Sequence, residues 1–265
     1  HHMNYSTIDY QVSDGVATIL LKRVDQLNAV NSIMSNELPD AWNKFNNDDS
    51  AIVAIISGSG DKSFCTGADL MDLPDMNDDL GKATIESIKW TSLQNQIWKP
   101  VICAVNGMCC AGGLHFIADS DIIIASDHST FFDTHVKVGL VAGLEPVGLS
   151  RKIPLESVLR MSLVGGGERM SAEQALNIGL IGEIVPHEKL LRRANEIADM
   201  IKLHSPSALS KTKKAIWKSK ETGLTDALHY AWGLISEQNI HSDFKEGTSA
   251  FAEKRSPVWK PYSNN

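Results

Sequence analysis

The sequence predicts an α/β protein in which repeated β-β-α units form a layered core and the remainder is helical. Strand-like and helix-like periods alternate early in the chain, where strand, turn and helix recur three or more times. After about Arg151 the pattern becomes almost entirely helical. We therefore expect a core over residues 3–200 and a helical C-terminal section over residues 201–265.

The first part is predicted to begin with two strands and a helix. Residues 8–12 and 16–21 flank Asp14 and Gly15, a pair that favours the positive φ of a tight hairpin turn. Residues 31–45 carry an apolar side chain every four positions, which is typical of one helix face. Further predicted elements are strands at 51–57, 101–105 and 121–125 and a helix at 85–98, which ends before Pro100.

The second part is predicted to consist of helices with one short strand. Ser171 followed three residues later by Gln174 is typical of a capped helix N-terminus. The lysines between residues 211 and 220 are predicted to form a solvated helix face, and residues 72–81 a loop. The predicted elements are helices at 155–163, 171–178, 189–202, 206–219 and 224–240 and a strand at 184–185.

The composition argues against several functional classes. A net charge of -7 disfavours nucleic acid as a partner, because phosphate backbones bind basic surfaces. No apolar run approaches the length of a membrane span, and without a secretory signal we expect a cytoplasmic protein. The four cysteines lack paired metal-ligand spacing, and adjacent Cys109 and Cys110 cannot form an ordinary disulfide, so we expect buried, reduced thiols.

Two small-residue turns follow strand-like runs in the middle of the chain. One is Ala111-Gly112-Gly113, which comes after the apolar run at 99–107 and leads into Leu114-His115. The other is Gly67-Ala68 within the segment 63–70. Bare backbone N–H groups at a glycine turn that leads into a helix can donate hydrogen bonds to a developing negative charge.

These segments resemble the paired loops of the crotonase (enoyl-CoA hydratase/isomerase) superfamily. The resemblance covers nearly the whole chain, since Ser171–Ala175 and Glu246–Pro257 also follow the family pattern. It implies the ClpP/crotonase-like fold and a homotrimer or dimer of trimers, with the C-terminal section serving in trimerisation or as a lid. It also implies an oxyanion hole made by the backbone N–H groups of Ala68 and Gly112.

The same resemblance implies an acyl-CoA thioester as the partner, with CoA entering as part of the substrate and no separate cofactor or metal. The segment from Leu21 to Val30 resembles the loop that cradles the adenine and ribose of CoA. This chain departs from the family pattern at Val24, where proline is usual, and at Met71, where lysine is usual. The implied CoA contacts are Leu27, Asn28, Ala29, Asp69, Leu70 and Lys260.

Two histidines occupy the positions where hydratases of this family carry catalytic glutamates. His115 lies three residues after the oxyanion glycine, and His135 lies 20 residues after His115. Histidine is an acid or base near neutral pH. His115 is expected in the first turn of a helix, where the helix dipole disfavours an imidazolium. For His115 a packing role and a catalytic role stay open, and His135 is the main acid/base candidate.

Glu145 is a third candidate, ten residues after His135 and directly before Pro146. Other crotonase-fold enzymes, such as dienoyl-CoA isomerases and aryl-CoA dehalogenases, carry a working aspartate near this elbow. The alternative is an acid in the first turn of a helix, stabilised by the helix dipole. Both interpretations stay open.

The sequence therefore predicts an acyl-CoA enzyme of this family that is not a standard hydratase. A second hypothesis is hydrolytic C–C cleavage of a β-diketone or cyclic β-ketoacyl-CoA (a retro-Claisen reaction). It depends on the resemblance of the Phe-x-Asp stretch before His135 to the 6-oxocamphor hydrolase branch. A third hypothesis is a non-catalytic acyl-CoA binder.

Overall fold

The computed structural model describes residues 4–74 and 84–262. Most of the predicted 72–81 loop therefore lies outside the described residues, as do residues 1–3 of the chain. None of the helices in the described part is long and apolar enough to cross a membrane. The chain is a mixed α/β protein, as its sequence predicts, and its sheets are mostly parallel.

Ten strands form two sheets within the described residues. The larger sheet has the order β1-β2-β3-β5-β7-β10, in which only β1 and β2 are antiparallel. The smaller sheet has the order β4-β6-β8-β9. The strands are β1 (Ile8–Ser13), β2 (Val16–Leu21), β3 (Val53–Gly58), β4 (Ser63–Cys65), β5 (Val101–Val105), β6 (Met108–Cys110), β7 (Ile122–Ser126), β8 (Thr130–Phe132), β9 (Met170–Ser171) and β10 (Glu183–Val185).

The predicted strands of the larger sheet are confirmed, whereas the smaller sheet was not anticipated. Its strands have two or three residues each, too few to show a period of two in the sequence. This sheet matters because β4, β6 and β8 each end where a predicted functional segment begins.

Nine helices occur in the described residues. The predicted helices of the second part are confirmed, including the capping box of Ser171 and Gln174. Helix α9 was not anticipated, whereas α3 agrees with the interpretation of Glu145 as an acid in the first turn of a helix. The helices are α1 (Ser32–Asn47), α2 (Leu114–Asp119), α3 (Leu144–Leu149), α4 (Leu155–Leu163), α5 (Ala172–Ile178), α6 (Leu190–Ile201), α7 (Pro206–Lys218), α8 (Leu224–Asn239) and α9 (Ser242–Glu253).

The predicted helix at 85–98 is wrong. The segment instead forms two short 3-10 turns, Ile85–Ser87 and Leu93–Asn95. The Gln94 side-chain oxygen accepts hydrogen bonds from the backbone N–H groups of Trp90 (2.8 Å) and Thr91 (3.1 Å). Such side-chain bonds offer the backbone an alternative to a helix. They hold Trp90 in the core, where its indole N–H donates to Ser35.

The larger sheet is covered on both faces, as its continuous apolar strands predict. On one face Ile56, Cys103 and Ile123 pack with α1 and with the smaller sheet. On the other face Ile55 and Ile102 pack against α6. All four cysteines are buried, as expected, and none is in a disulfide among the described residues.

A cluster of buried lysines lies beside the larger sheet, and it corrects the prediction that the lysines of α7 are all solvated. Lys213 is 7% exposed and pairs with Asp121 at 2.8 Å. Lys99 donates to three carbonyl oxygens in the last turn of α1 and the segment just after it, and Lys152 to two in and just after α2. We call Lys99, Lys152, Lys213 and Asp121 the lysine cluster.

Candidate active site

The first of the two small-residue loops follows β4. The backbone N–H of Val30 donates to the oxygen of Gly67 (2.8 Å), and the N–H of Asp69 donates to the oxygen of Val30 (2.9 Å). Because the groups of a strand alternate in direction, the N–H of Ala68 points away from Val30. No acceptor for it occurs among the described residues.

The second loop follows β6 and begins α2. Residues Ala111–Gly113 form a 3-10 turn, and Ala111 adopts a left-handed φ of 49°. An N–H at the start of a helical segment has no intrahelical partner, and Gly112 donates to no acceptor in the described part of the chain. A Cβ added to Gly67 would lie 2.6 Å from the nitrogen of Gly112, so the two loops are in direct contact.

His115 lies in the first turn of α2, as predicted, and is 6% exposed. Its Nε2 lies 3.0 Å from Oε1 of Glu145, and its Nδ1 lies 3.3 Å from Nε2 of Gln94. The Trp90 ring packs edge-on against the imidazole with 5.6 Å between ring centroids, and the same ring borders Gly112. His115 is thus fixed from three sides next to the second loop.

His135 follows β8 and is paired with a buried aspartate. Its Nδ1 lies 2.5 Å from Oδ1 of Asp133, and its backbone N–H donates to the same oxygen. The hydrogen bond to Asp133 raises the pKa of His135 against the opposing effect of burial. Burial raises the pKa of Asp133, but the hydrogen bonds from His135 and its charge outweigh burial and leave that pKa lowered. The pair therefore favours aspartate with imidazolium.

Glu145 connects the two histidines. It lies in the first turn of α3 and is 5% exposed. While its Oε1 faces His115, its Oε2 lies 3.5 Å from Nε2 of His135. Within the described residues, Oε2 has no hydrogen-bond partner, nor does Oδ2 of Asp133, although both atoms are buried. We call His115, Asp133, His135 and Glu145 the histidine–carboxylate cluster.

The three predicted acid/base candidates are therefore neighbours, which their sequence spacing alone did not require. Asp133, His135 and Glu145 are also the residues that could offer ligand atoms to a metal ion, with those atoms within 4.8 Å of one another. The Asp133 and His135 atoms contact each other directly at 2.5 Å, so this pair is arranged as a hydrogen bond. A carboxylate–imidazole–carboxylate arrangement of this kind can move protons.

The predicted CoA loop is rigid. Leu27 and Asn28 both adopt left-handed φ angles, and the buried Asn28 amide bonds the backbone of Arg23, Ser59 and Ser63. Its side chain is thus committed to shaping the loop. Arg23 pairs with Asp69 at 3.0 Å and donates to the oxygen of Ala29.

Of the other predicted CoA contacts, Leu70 lies beside the first loop, whereas Lys260 is bonded to α9. Leu70 is 62% exposed and follows the first loop. The backbone N–H of Lys260 donates to Asp243 in α9, and no contact among the described residues joins Lys260 to the two loops. Contacts of all six residues with CoA stay a prediction.

Sequence reasoning missed Asp133, Trp90 and Gln94. The Asp133 signal was present, because an aspartate two residues before a histidine can bond its ring and its backbone. Trp90 and Gln94 reach the site only because the segment that carries them is not a helix. The sequence pattern of residues 85–98 instead predicted a helix.

Comparison with known proteins identifies the family. The model of the enoyl-CoA hydratase/isomerase family matches residues 11–262. The (E)-benzylidenesuccinyl-CoA hydratase of Thauera aromatica is 32% identical over 96% of this chain and 98% of its own length. The short-chain-enoyl-CoA hydratase of Clostridium acetobutylicum is 31% identical over 96% of this chain and 97% of its own.

The fold agrees with solved structures of the same family. The crystal structure of an enoyl-CoA hydratase/isomerase from Mycobacterium paratuberculosis superimposes with a TM-score of 0.90. It is 40% identical in sequence, with 97% of this chain and 99% of that chain covered. The chain belongs to the enoyl-CoA hydratase/isomerase family, within the crotonase superfamily.

Proposed function

We propose that this member of the enoyl-CoA hydratase/isomerase family moves protons on an acyl-CoA thioester through an enolate, whose oxygen binds the N–H groups of Ala68 and Gly112. Both groups lack a protein acceptor in the described part of the chain, and their loops are in contact. Each such donor contributes about 3 kcal/mol of transition-state stabilisation in comparable oxyanion holes.

Glu145 and His135 supply the base and the acid. Glu145 has a buried oxygen without a hydrogen-bond partner in the described part of the chain. This oxygen can accept the α-proton, which turns the substrate into the enolate. His135, whose pKa Asp133 raises, can return a proton to another carbon of the substrate. The observation that carries this proposal is that Oε2 of Glu145 faces Nε2 of His135 at 3.5 Å.

We propose further that simple enoyl-CoA hydration is slow in this enzyme. Histidine replaces glutamate at both positions that the family resemblance assigns to hydration, and general acid–base help contributes about 10²–10⁴-fold. The relatives named above as hydratases nevertheless make reversible hydration the first reaction to test.

The decisive experiment follows turnover by mass spectrometry across enoyl-CoA, β-ketoacyl-CoA and free β-diketone substrates. A saturated acyl-CoA incubated in D₂O should also gain deuterium at the α-carbon, because that exchange needs only the base and the enolate. Rapid hydration of crotonyl-CoA would show that the roles given to the two histidines are wrong. The absence of exchange and of turnover, with acyl-CoA still bound, would favour a binding protein.

Hydrolytic C–C cleavage is the second candidate, and the Asp133–His135 pair favours it. In its neutral form, which is populated above the raised pKa, an imidazole held by an aspartate at Nδ1 can activate water through Nε2, the nitrogen that faces Glu145. Cleavage of a free β-diketone with the addition of one water molecule would establish it. Calorimetry that detects binding of the diketone and of no CoA ester would exclude the acyl-CoA proposal.

We also propose a homotrimer or a dimer of trimers, in which a second copy covers the apolar surface of α8 and α9. Leu224, Trp232, Ile240, Phe244 and Phe251 are between 48% and 89% exposed in the single chain. Exposed apolar surface of this extent is typical of an interface. Trp232→Glu should lower the sedimenting mass, and Thr225→Glu on the same helix should not.

A further inference from the structure

Gln94 contacts the ring nitrogen of His115 that does not face Glu145. Its Oε1 already accepts hydrogen bonds from the N–H groups of Trp90 and Thr91, at 2.8 and 3.1 Å. Those two donors fix the orientation of the amide, because an inverted amide would place its NH₂ against two N–H groups. The NH₂ group of Gln94 must therefore be the part that faces Nδ1 of His115, at 3.3 Å.

The NH₂ group of Gln94 determines which of the two ring nitrogens of His115 carries the hydrogen. Nδ1 can accept from Gln94 only if it carries no hydrogen, so the neutral ring holds its proton on Nε2. The contact of His115 with Glu145 independently indicates the same Nε2–H tautomer. Nε2 lies 3.0 Å from a carboxylate oxygen of Glu145, and a bare nitrogen there would set two lone pairs against each other.

The segment that carries Gln94 is tied to the helix that carries His115. The backbone N–H of Gln94 donates to the Thr91 hydroxyl, which in turn donates to Asp119 at the end of α2, at 2.5 Å. The amide and the imidazole are therefore held by one connected set of bonds. This arrangement suits a group that must keep one orientation during turnover.

We propose that Gln94 is a positioning residue that holds His115 as the Nε2–H tautomer. His115 is then a fixed donor to Oε1 of Glu145, and the proton-transfer role falls to Oε2, which has no hydrogen-bond partner among the described residues. The inference rests on the proposed function in one respect only, the role of Glu145 as the base. The tautomer itself is independent of any reaction.

Nitrogen-15 NMR of the histidine rings tests the tautomer directly, with His115 assigned by the signal that His115→Gln removes. At neutral pH we expect hydrogen on Nε2 and a bare Nδ1. Gln94→Glu should add hydrogen to Nδ1, because one carboxylate oxygen can still accept from Trp90 and Thr91 while the other faces the ring. Gln96→Glu is the matched control, since it adds the same charge on the same segment at an exposed position.

The kinetic effect should follow the tautomer. A doubly protonated ring beside Glu145 weakens that carboxylate as a base, so Gln94→Glu should lower kcat roughly 10-fold or more with little change in KM. Gln96→Glu should leave both constants unchanged. A wild-type His115 with hydrogen on Nδ1, or a Gln94→Glu ring that matches the wild type, would overturn the inference. If the tautomer is as stated but no acyl-CoA is processed, the proposed function fails and the positioning role stands.

Discussion

The lysine cluster and the histidine–carboxylate cluster are both groups of buried charged side chains, but they differ in hydrogen bonding. Lys99 has three carbonyl partners, Lys152 has two, and Lys213 has Asp121 and a carbonyl. In the histidine–carboxylate cluster, one buried oxygen of Asp133 and one of Glu145 have no hydrogen-bond partner within residues 4–74 and 84–262. Native proteins satisfy nearly all buried polar atoms, so the exceptions need an explanation.

The two clusters also differ in the direction and cause of their pKa shifts. Burial lowers the pKa of Lys99 and of Lys152 to about 8, so their surroundings oppose the charge that they carry. Asp133 instead raises the pKa of His135, which keeps a proton available at neutral pH. We infer that the lysine cluster joins α1, α2 and α7 to the larger sheet, whereas the histidine–carboxylate cluster is kept for chemistry.

The largest expected effect is the loss of activity in Glu145→Gln. The amide cannot accept a proton, so kcat should fall by about 10²–10⁴-fold while the free energy of unfolding changes little. Steady-state kinetics with the best substrate of the panel, together with urea unfolding, measures both quantities. Glu156→Gln is the control, because Glu156 is an exposed acid in the first turn of a neighbouring helix. If instead His135→Ala abolishes turnover and Glu145→Gln keeps it, the roles of the two residues must be exchanged.

Lys213→Met should instead lower the free energy of unfolding and leave kcat unchanged. This change leaves the partly buried Asp121 without its charge partner, a loss that costs about 3–5 kcal/mol of unfolding free energy for a fully buried pair and less here. The kcat of the fraction that remains folded should stay the same. Lys220→Met, at an exposed position just beyond α7, should alter neither quantity. A Lys213→Met protein that is as stable as its parent would remove the structural role given to the lysine cluster.

Asp133→Asn should change the pH profile more than the maximal rate. If His135 acts as the acid, kcat/KM falls as the pH rises through its raised pKa. Removing the Asp133 charge should move that alkaline limb to lower pH by about one unit or more. Asp127→Asn, at an exposed aspartate just before β8, is the control. An unchanged profile would mean that His135 does not supply the rate-limiting proton.

The difference between the clusters also shows what could be predicted from sequence. His115, His135 and Glu145 were found from their spacing within a recognised family pattern, and the strands of the larger sheet from continuous apolar runs. The partner atoms were not found, because Gln94 and Asp121 meet their partners only through the tertiary fold. The helix predicted at 85–98 failed for a related reason, since a single amide, that of Gln94, diverts the backbone. Lys213 was expected in solvent because the pattern of α7 cannot reveal that Asp121, on a distant segment, pairs with it.

The smallest expected effect is a pH dependence of stability that Lys152→Met should remove. The folded pKa of Lys152, about 8, lies below the value of about 10.4 in an unfolded chain, so between these values the unfolded chain binds more protons. Stability of the parent should therefore rise relative to the variant by about 1 kcal/mol per pH unit from pH 8 to pH 10. The buried thiols act in the opposite direction, because burial raises the pKa of Cys65 and Cys110 to about 12, but they are present in both proteins and cancel. Chemical unfolding of both proteins at each pH measures the difference, and parallel curves would show that the Lys152 ammonium is hydrated rather than held by its two carbonyls.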